Sequence, residues 1–335
     1  MNKIPLNDIG RSQKHYIKDV NNVIRKIVDS NIYLRGNEIE KFEEEWARYT
    51  GQKYCVACKN GTDALTLSAR AMDIKQAFVQ GNTLPLTAQG LFLGGAKIDI
   101  VDIKNNGRAD CKEKNLVPVL LYGVIPNESE LNFKLFDAAH AHGWQPPEKS
   151  TACWSFYPSK TLGAFGDSGA ITTNNLIVYK KLISMVGRDD TLRHPYQINS
   201  RMDELQAGIL RVKLKYLDDF INARQEIARQ YKNLLNKNIQ CVSESDKDLN
   251  HLFVIKVKAD KRSGLINYLA ENHIETKIHF PIPLNQINSA WFNSKKLNKT
   301  IEWCKEILTL PNFPGMTKKE VSYVAQKINS FLPSN

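Results

Sequence analysis

Apolar residues recur at two different spacings along the chain, and the two spacings alternate through most of its length. Helical spacing is found in residues 17–30, 38–49, 61–72, 83–92 and 176–186. Short apolar runs typical of strands occupy residues 53–57, 78–79, 96–101, 116–122 and 133–136. Strands that alternate with helices predict an α/β fold with a mainly parallel mixed sheet. In such a sheet, ligands bind beyond the carboxyl ends of the strands.

The pattern changes after residue 199, where Met202 to Leu217 predicts an amphipathic helix that continues to Leu235. Beyond it, strands at 252–257, 275–280 and 308–310 are interspersed with helices at 263–272, 299–307 and 318–331. A helix this long commonly connects a large domain to a smaller one. We therefore expect a large domain over residues 1–225 and a small C-terminal α+β domain over residues 226–335.

Composition and charge narrow the class of protein. The 335 residues are 42% hydrophobic and 24% charged, which is typical of a soluble globular protein. The formal net charge of +11 is scattered along the chain and favours an anionic substrate. No helix-turn-helix or RNA-binding signature accompanies the positive charge, so we expect no nucleic-acid partner.

The cysteines indicate whether the chain holds a metal ion, and the N-terminus indicates where in the cell the protein is located. Cys55 and Cys58 have the spacing of half a zinc site, but no second pair follows that would complete it. Buried reduced thiols are the better interpretation, and we expect no metal. The N-terminal residues lack the apolar core of a signal peptide, and no apolar run approaches the roughly 20 residues that span a bilayer. We expect a cytoplasmic protein without a membrane partner.

Three short motifs contain residue types that could form a binding or catalytic site. Asn60-Gly-Thr-Asp63 follows a strand and opens a helix, where free backbone amides and the helix dipole favour an anion. Asp137 ends a predicted strand, and His140 follows three residues later. Lys160 lies among serine, threonine and glycine residues and could serve as an amine nucleophile if its pKa were lowered. Taken alone, each motif is also typical of an ordinary turn, a helix cap or a surface lysine.

Together the motifs resemble the DegT/DnrJ/EryC1/StrS family of sugar aminotransferases, and the resemblance runs nearly from end to end. The segments that carry it are Phe42-Glu-Glu-Glu-Trp-Ala47, Asn60-Gly-Thr-Asp-Ala-Leu65, Asp137-Ala-Ala-His-Ala-His-Gly143, Ser155-Phe-Tyr-Pro-Ser-Lys160, Gly166-Asp-Ser-Gly-Ala170, Asn199-Ser-Arg-Met-Asp-Glu-Leu-Gln-Ala207, His279-Phe-Pro-Ile-Pro283 and Leu310-Pro-Asn-Phe-Pro314. The resemblance implies the type I aminotransferase fold, which is that of aspartate aminotransferase. It also implies pyridoxal 5′-phosphate as cofactor.

The resemblance further implies roles for single residues in binding the cofactor. Lys160 would form a Schiff base with pyridoxal phosphate and then move the proton between the substrate carbon and the cofactor carbon. Asp137 would pair with the pyridine nitrogen, and His140 would lie near the phenolic oxygen. The cofactor phosphate would be held by Gly61, Thr62, Asp63, Ser155 and, from the neighbouring subunit of a homodimer, Asn199.

Substrate residues follow from the same resemblance. Lys277 and His279 would face a nucleotide-sugar, and Tyr33 is a further substrate candidate. The expected reaction moves the amino group of glutamate onto a nucleotide-linked keto-sugar, in the biosynthesis of deoxy-amino sugars for a surface polysaccharide such as lipopolysaccharide. Two alternatives remain: a sugar dehydratase of the same family, in which histidine characteristically replaces the lysine, and a catalytically silent binding or regulatory relative.

Three features of the sequence depart from the family pattern. Residues 124–136 leave little room for the helix expected in a parallel crossover, so that helix is reduced to about one turn or absent. The segment 75–85 lacks the usual acidic pair and has Leu84 where an aromatic residue is common, so no residue can be named that stacks on the cofactor ring. Ser168 occupies a position often held by glycine.

Overall fold

A computed structural model of the chain describes residues 3–187, 194–243, 245–287, 291–294 and 296–333. Its helices are α1 (Ile9–Gln13), α2 (Ile17–Ser30), α3 (Asn37–Tyr49), α4 (Gly61–Ala71), α5 (Pro85–Leu93), α6 (Leu176–Met185), α7 (Glu204–Leu214), α8 (Leu217–Leu234), α9 (Ala259–Glu271), α10 (Asn298–Glu306) and α11 (Lys318–Phe331). Its strands are β1 (Tyr54–Cys58), β2 (Gln76–Gln80), β3 (Lys97–Val101), β4 (Leu135–Asp137), β5 (Thr151–Ser155), β6 (Gly169–Thr173), β7 (Gln240–Cys241), β8 (Phe253–Lys256), β9 (Phe292–Ser294) and β10 (Ile307–Leu310). Within these described ranges, no helix combines the length and apolarity needed to cross a membrane.

The large lobe is built on a mixed sheet. Strands β1, β6, β5 and β4 are hydrogen-bonded in that order, and β2, β3 and β9 form a second set. The β5–β4, β2–β3 and β3–β9 pairs are parallel, whereas β6 runs antiparallel to both of its neighbours. The α/β fold with a mainly parallel mixed sheet is therefore observed as predicted.

Residues 116–120 join the two sets of strands, but they do not form the continuous strand that the sequence predicts. They make isolated parallel bridges, Phe78 to Leu116 and Val119 to Asp137. Pro118 cannot donate a backbone hydrogen bond, although its carbonyl accepts one from the Asp137 amide at 3.0 Å. The segment then turns into a short 3-10 helix at residues 121–123 instead of continuing the ladder.

Strand β1 shows how helices cover both faces of this sheet. Side chains alternate along a strand, so Val56 and Cys58 join the apolar cluster under α4, α5 and α6, whereas Cys55 and Ala57 pack with α3 and α7 on the opposite face. Cys55 and Cys58 are thus buried thiols outside any disulfide, on opposite faces of one strand. That arrangement does not let the two sulfurs share a metal ion.

The small lobe packs α9 and α11 against an antiparallel sheet of order β10-β8-β7. Helix α8 belongs to both lobes, because Leu217 and Ile221 pack in the large-lobe core while Ile227 and Tyr231 pack in the small-lobe core. The predicted domain boundary after residue 225 falls within this helix and stays a prediction.

Two predicted elements of this part of the chain differ in the structure. The single long helix predicted from residue 202 to 235 is broken between Leu214 and Leu217 into α7 and α8. The strand predicted at 275–280 is reduced to one antiparallel bridge between Lys277 and Thr309. Pro281 and Pro283 follow at once and have no amide hydrogen to extend a ladder.

Candidate active site

A cavity of about 550 Å³ lies between the two lobes, beyond the carboxyl ends of β4 and β5 and beside the start of α4. This is the edge of the sheet at which an α/β fold binds its ligands. The predicted site residues that line the cavity are Gly61, Thr62, Asp137, His140, Ser155, Lys160, Lys277 and His279. The fold therefore brings together residues that lie more than 200 positions apart in the sequence.

The start of α4 forms a cradle with a narrow entrance. Asn60 caps the helix by accepting a hydrogen bond from the Asp63 amide at 2.8 Å, which leaves the amides of Gly61 and Thr62 at the open end. A Cβ atom on Gly61 would lie 2.8 Å from Cβ of Ser155, so glycine is required for this close approach. Backbone amides at a helix N-terminus, next to a serine hydroxyl, make a site for a phosphate group.

Asp63 is placed differently from Gly61 and Thr62. Its amide is used by the Asn60 cap, and its carboxylate accepts a hydrogen bond from the Ser200 hydroxyl at 2.6 Å. It does not line the cavity. The predicted contact between Asp63 and the cofactor phosphate stays a prediction.

Asp137 is fixed at the end of β4 by two donors. Its Oδ2 accepts from the Thr87 hydroxyl at 2.7 Å, and its Oδ1 accepts from the Ala139 amide at 3.1 Å. Burial raises the pKa of this carboxyl, and the two hydrogen bonds and the charge of Lys160 oppose that rise. Thr87 lies on α5 and lines the cavity too. Sequence reasoning missed it, since only the tertiary fold places α5 beside the end of β4.

Lys160 lies in a tight turn after β5. Its amide donates to the Tyr157 carbonyl at 2.8 Å, and the Ala164 amide donates to the Phe156 carbonyl at 2.8 Å, which closes the loop around it. Burial lowers the pKa of the Lys160 amine to about 8, although the charge of Asp137 acts in the opposite direction. An amine with this pKa is partly neutral near physiological pH, which is the state that attacks a carbonyl group.

Imidazole rings surround the lysine. The amides of Tyr122 and Leu162 donate to Nδ1 of His140 and of His142, at 3.2 and 3.0 Å. Burial, followed by the charge of Lys160, lowers the pKa of His140 well below its usual value and that of His142 to about 3. Both rings are therefore neutral at physiological pH.

His251 comes from the small lobe and was missed by sequence reasoning. Its ring lies 4.7 Å from that of His140, measured between centroids, and its Nδ1 lies 3.2 Å from the hydroxyl oxygen of Thr161, the residue after Lys160. Burial, followed by His140 and Lys160, lowers its pKa well below the usual value. Its segment, Asn250-His-Leu-Phe, carries no spacing that would have singled it out.

Lys277 and His279 form part of the small-lobe wall of the cavity. Nδ1 of His279 lies 2.9 Å from the Thr309 hydroxyl oxygen, and the Tyr122 hydroxyl donates to the His279 carbonyl. Burial, then the charges of Lys277 and Lys160, lower the pKa of His279 to about 4. This stretch of the small lobe thus presents Lys277 and a neutral imidazole to the site, in addition to His251.

Besides Asp63, the predicted residues Asn199 and Tyr33 also lie outside this cavity. Asn199 is exposed, and its Oδ1 accepts from Nε of Arg201 at 3.1 Å. Tyr33 is 45% exposed, and its carbonyl accepts from the Glu204 amide at 2.9 Å. The predicted roles of both residues, that of Asn199 in the site of a neighbouring subunit and that of Tyr33 in substrate binding, stay predictions. On the ring-stacking question, Leu86 lines the cavity but Leu84 does not.

Comparison with known proteins agrees with this geometry. The model of the DegT/DnrJ/EryC1/StrS aminotransferase family matches residues 14–113 and 125–329. The dTDP-3-amino-3,6-dideoxy-alpha-D-galactopyranose transaminase of Aneurinibacillus thermoaerophilus is 33% identical and covers 98% of this chain and 99% of its own length. The UDP-2-acetamido-2-deoxy-3-oxo-D-glucuronate aminotransferase of Pseudomonas aeruginosa is 29% identical, with 96% of this chain and 98% of its own covered.

A solved structure of DesV from S. venezuelae, in complex with a ketimine intermediate, superposes with a TM-score of 0.90 at 25% identity over the whole of both chains. The chain belongs to the DegT/DnrJ/EryC1/StrS aminotransferase family. The predicted family, the type I aminotransferase fold and the aminotransferase activity with its pyridoxal 5′-phosphate cofactor are confirmed.

Proposed function

We propose that this aminotransferase transfers the amino group of glutamate to the keto group of a sugar linked to a nucleoside diphosphate. The observation that carries the proposal is the Lys160 amine, with its lowered pKa, in one cavity with Asp137 and the α4 cradle. Relatives named for dTDP- and UDP-linked sugars support the substrate class. The net charge of +11 suits a diphosphate.

The residues present fit pyridoxal phosphate. The amides of Gly61 and Thr62 and the Ser155 hydroxyl would hold the phosphate in a cradle that any Cβ at position 61 would fill. Asp137, held by Thr87 and the Ala139 amide, would face the pyridine nitrogen. When bound, the cofactor supplies the electron sink for the carbon that gains or loses the amino group.

Lys160 is the residue that we expect to move protons. A neutral amine can accept a proton from a substrate carbon and return it as ammonium, and a pKa of about 8 lets both forms exist near physiological pH. The neutral rings of His140 and His251 form one wall beside it and repel the ammonium form less than charged rings would. Lys277, on the small lobe, would bind a phosphate of the nucleotide, with His279 beside it.

We also propose that the active form is a homodimer in which Asn199 of one subunit reaches the phosphate site of the other. In support, Asn199 lies outside the cavity of its own chain, and several large apolar side chains near the site are exposed. They include Leu84, Leu86, Phe92, Leu93, Tyr157 and Phe165. Light scattering tests this directly, because a monomer that is fully active in dilute solution would exclude the shared site.

The setting that we propose is the cytoplasm, in the biosynthesis of deoxy-amino sugars for a surface polysaccharide such as lipopolysaccharide. Cell fractionation tests the location. Deletion of the coding sequence, followed by analysis of the surface sugars, tests the pathway. Loss of an amino sugar from the polysaccharide is expected, and an unchanged sugar composition would contradict this part of the proposal.

The visible absorption spectrum of the purified protein tests the reaction itself. We expect a yellow holoenzyme that bleaches when glutamate is added and recovers its colour when a nucleotide-linked keto-sugar follows. Mass spectrometry of the product separates the alternatives, because amination replaces an oxo oxygen by an amino group whereas the dehydratase removes a hydroxyl. Retention of Lys160 argues against the dehydratase. A colourless protein that binds no cofactor would support the silent relative instead.

A further inference from the structure

A second cavity, of about 390 Å³, lies against the opposite side of the 116–124 segment from the active site. Most of its walls come from the connection between β3 and β4, and Gln80 of β2 with Val242 and Trp303 of the small lobe complete them. Its volume falls within the range of roughly 300–1,000 Å³ that is usual for small-molecule sites. Nothing in the proposed transamination uses it.

The cavity exists because a crossover is short. Val119 and Asp137 pair in parallel, so residues 120–136 must cross back over the sheet. Parallel crossovers usually contain a helix that covers the sheet face. Here the crossover contains two short 3-10 turns, Leu121–Gly123 and Glu128–Glu130, in place of a longer helix. The sequence predicted that this helix is reduced to about one turn or absent. The apolar side chains that line the cavity are those of Leu116, Val119, Leu120, Leu121, Val124 and Phe133.

The short crossover is held in place from the β3 side. The guanidinium of Arg108 pairs with the Glu130 carboxylate and donates to the Ile125 carbonyl at 2.7 Å. Glu130 also accepts from the Asn127 amide at 3.0 Å. These contacts form a polar clamp between two lining residues of the cavity, Arg108 and Glu130.

The charges on the cavity lining are unbalanced. Lys104, Arg108, Lys112 and Lys114 line it, whereas Glu130 is the acidic residue of the lining within the described chain. Glu130 is already engaged by Arg108, and Lys104 lies 3.9 Å away. Lys112 and Lys114 have no ion pair among the described residues. Asp110 and Glu113, on the same loop, do not line the cavity.

We propose that this cavity is a binding site for a small amphiphilic anion, which places an aromatic or aliphatic body on the apolar floor and an anionic group against the lysines. A purely apolar ligand would leave the cationic rim unused, and a highly polar anion would leave the floor exposed. The matched pair of dyes 8-anilinonaphthalene-1-sulfonate and N-phenyl-1-naphthylamine tests both requirements, because they share the aromatic body and differ in the sulfonate.

The two cavities share a wall, so the test must distinguish dye bound in the second cavity from dye bound in the active site. Tyr122 lines the second cavity, while its amide donates to His140 and its hydroxyl donates to the His279 carbonyl of the active site. The titration therefore uses the holoenzyme saturated with UDP, which blocks the nucleotide region. Dye fluorescence then reports binding elsewhere. We expect about one sulfonate dye bound per chain, and at least about threefold weaker binding of the neutral dye.

Variants locate the bound dye. Val124→Trp fills the cavity and is expected to weaken binding of the sulfonate dye at least about tenfold, a change of about 1.4 kcal/mol. The double substitution Lys112→Gln/Lys114→Gln is expected to weaken it by about threefold to tenfold. The matched control is Lys258→Gln/Lys261→Gln, which removes two exposed lysines that line neither cavity. It is expected to leave the affinity for the sulfonate dye unchanged.

Three results would overturn the proposal. The first is the absence of saturable binding at one site per chain. The second is binding that Val124→Trp leaves unchanged, which would place the dye elsewhere. The third is equal affinity for the two dyes, which would show that the lysines take no part in recognition. None of these readouts depends on turnover, so failure here leaves the proposed transamination standing.

Discussion

The two cavities on either side of residues 116–124 are built in different ways. In the active site the carboxylate of Asp137 is held by specific partners, the Thr87 hydroxyl and the Ala139 amide. In the second cavity the cations Lys112 and Lys114 are exposed and unpaired within the described chain, and the Arg108–Glu130 clamp is the fixed polar feature. Catalysis needs preorganised groups, whereas reversible binding of an anion tolerates mobile ones.

This difference implies that substitutions in the active site change the positions or the chemistry of reacting groups and have large effects on turnover or cofactor binding. Substitutions in the second cavity change its apolar contact area or its charge, and their effects on ligand binding or stability are expected to be small.

Lys160→Ala removes the amine that we expect to form the Schiff base and to move the proton, and it is expected to reduce turnover on the order of 10³-fold or more. Steady-state product formation with glutamate and a nucleotide-linked keto-sugar measures it. A circular dichroism spectrum like that of the wild type shows that the fold is kept. Turnover above a trace would refute the role assigned to this lysine.

Gly61→Ala places a methyl group 2.8 Å from Cβ of Ser155, inside the phosphate cradle. We expect the affinity for pyridoxal phosphate to fall about 10- to 100-fold, since the first turn of α4 must shift to relieve the contact. Equilibrium dialysis against the cofactor measures the loss. Gly166→Ala is the matched control, because its nearest contact would be an ordinary 3.5 Å to Gln206. Equal losses in both variants would contradict the cradle.

The pH dependence of cofactor reconstitution tests the environment of Lys160. The neutral amine is the reactive form, so a pKa of about 8 makes the rate of reconstitution of the apoenzyme rise with pH and level off above that value. The expected change between pH 7 and pH 9 is about tenfold. Stopped-flow absorbance measures the rate. A rate that keeps rising by a constant factor beyond pH 9 would show an ordinary lysine.

Arg108→Met breaks the clamp of the second cavity and is expected to lower the free energy of unfolding by about 1 kcal/mol, because the Arg108–Glu130 pair is partly exposed. Urea denaturation monitored by tryptophan fluorescence measures the change. Lys75→Met, which removes an exposed ion pair with Asp73, is the control and should alter stability by less. A loss of several kcal/mol would mean that this region is as tightly built as the active site.

The sequence alone determined the features that depend on local order. Periodicity predicted most helices and strands, because a helix or a strand buries one face at a fixed spacing. Gly61 at the start of α4, Asp137 at the end of β4 and Lys160 could be named because each belongs to a short motif that can be recognised in the sequence alone. The shortened crossover could be seen as well, because it is a matter of chain length.

The tertiary structure decided what depends on neighbours far away in the sequence. Residues 116–120 are as apolar as a strand, yet Pro118 and the turn that follows leave them only isolated bridges between β2 and β4. Thr87 and His251 gain their places beside Asp137 and Lys160 only when α5 and the small lobe pack there. The second cavity forms where the described crossover has no α-helix to fill the space, and a local pattern of residues does not show which neighbours are missing in the folded chain.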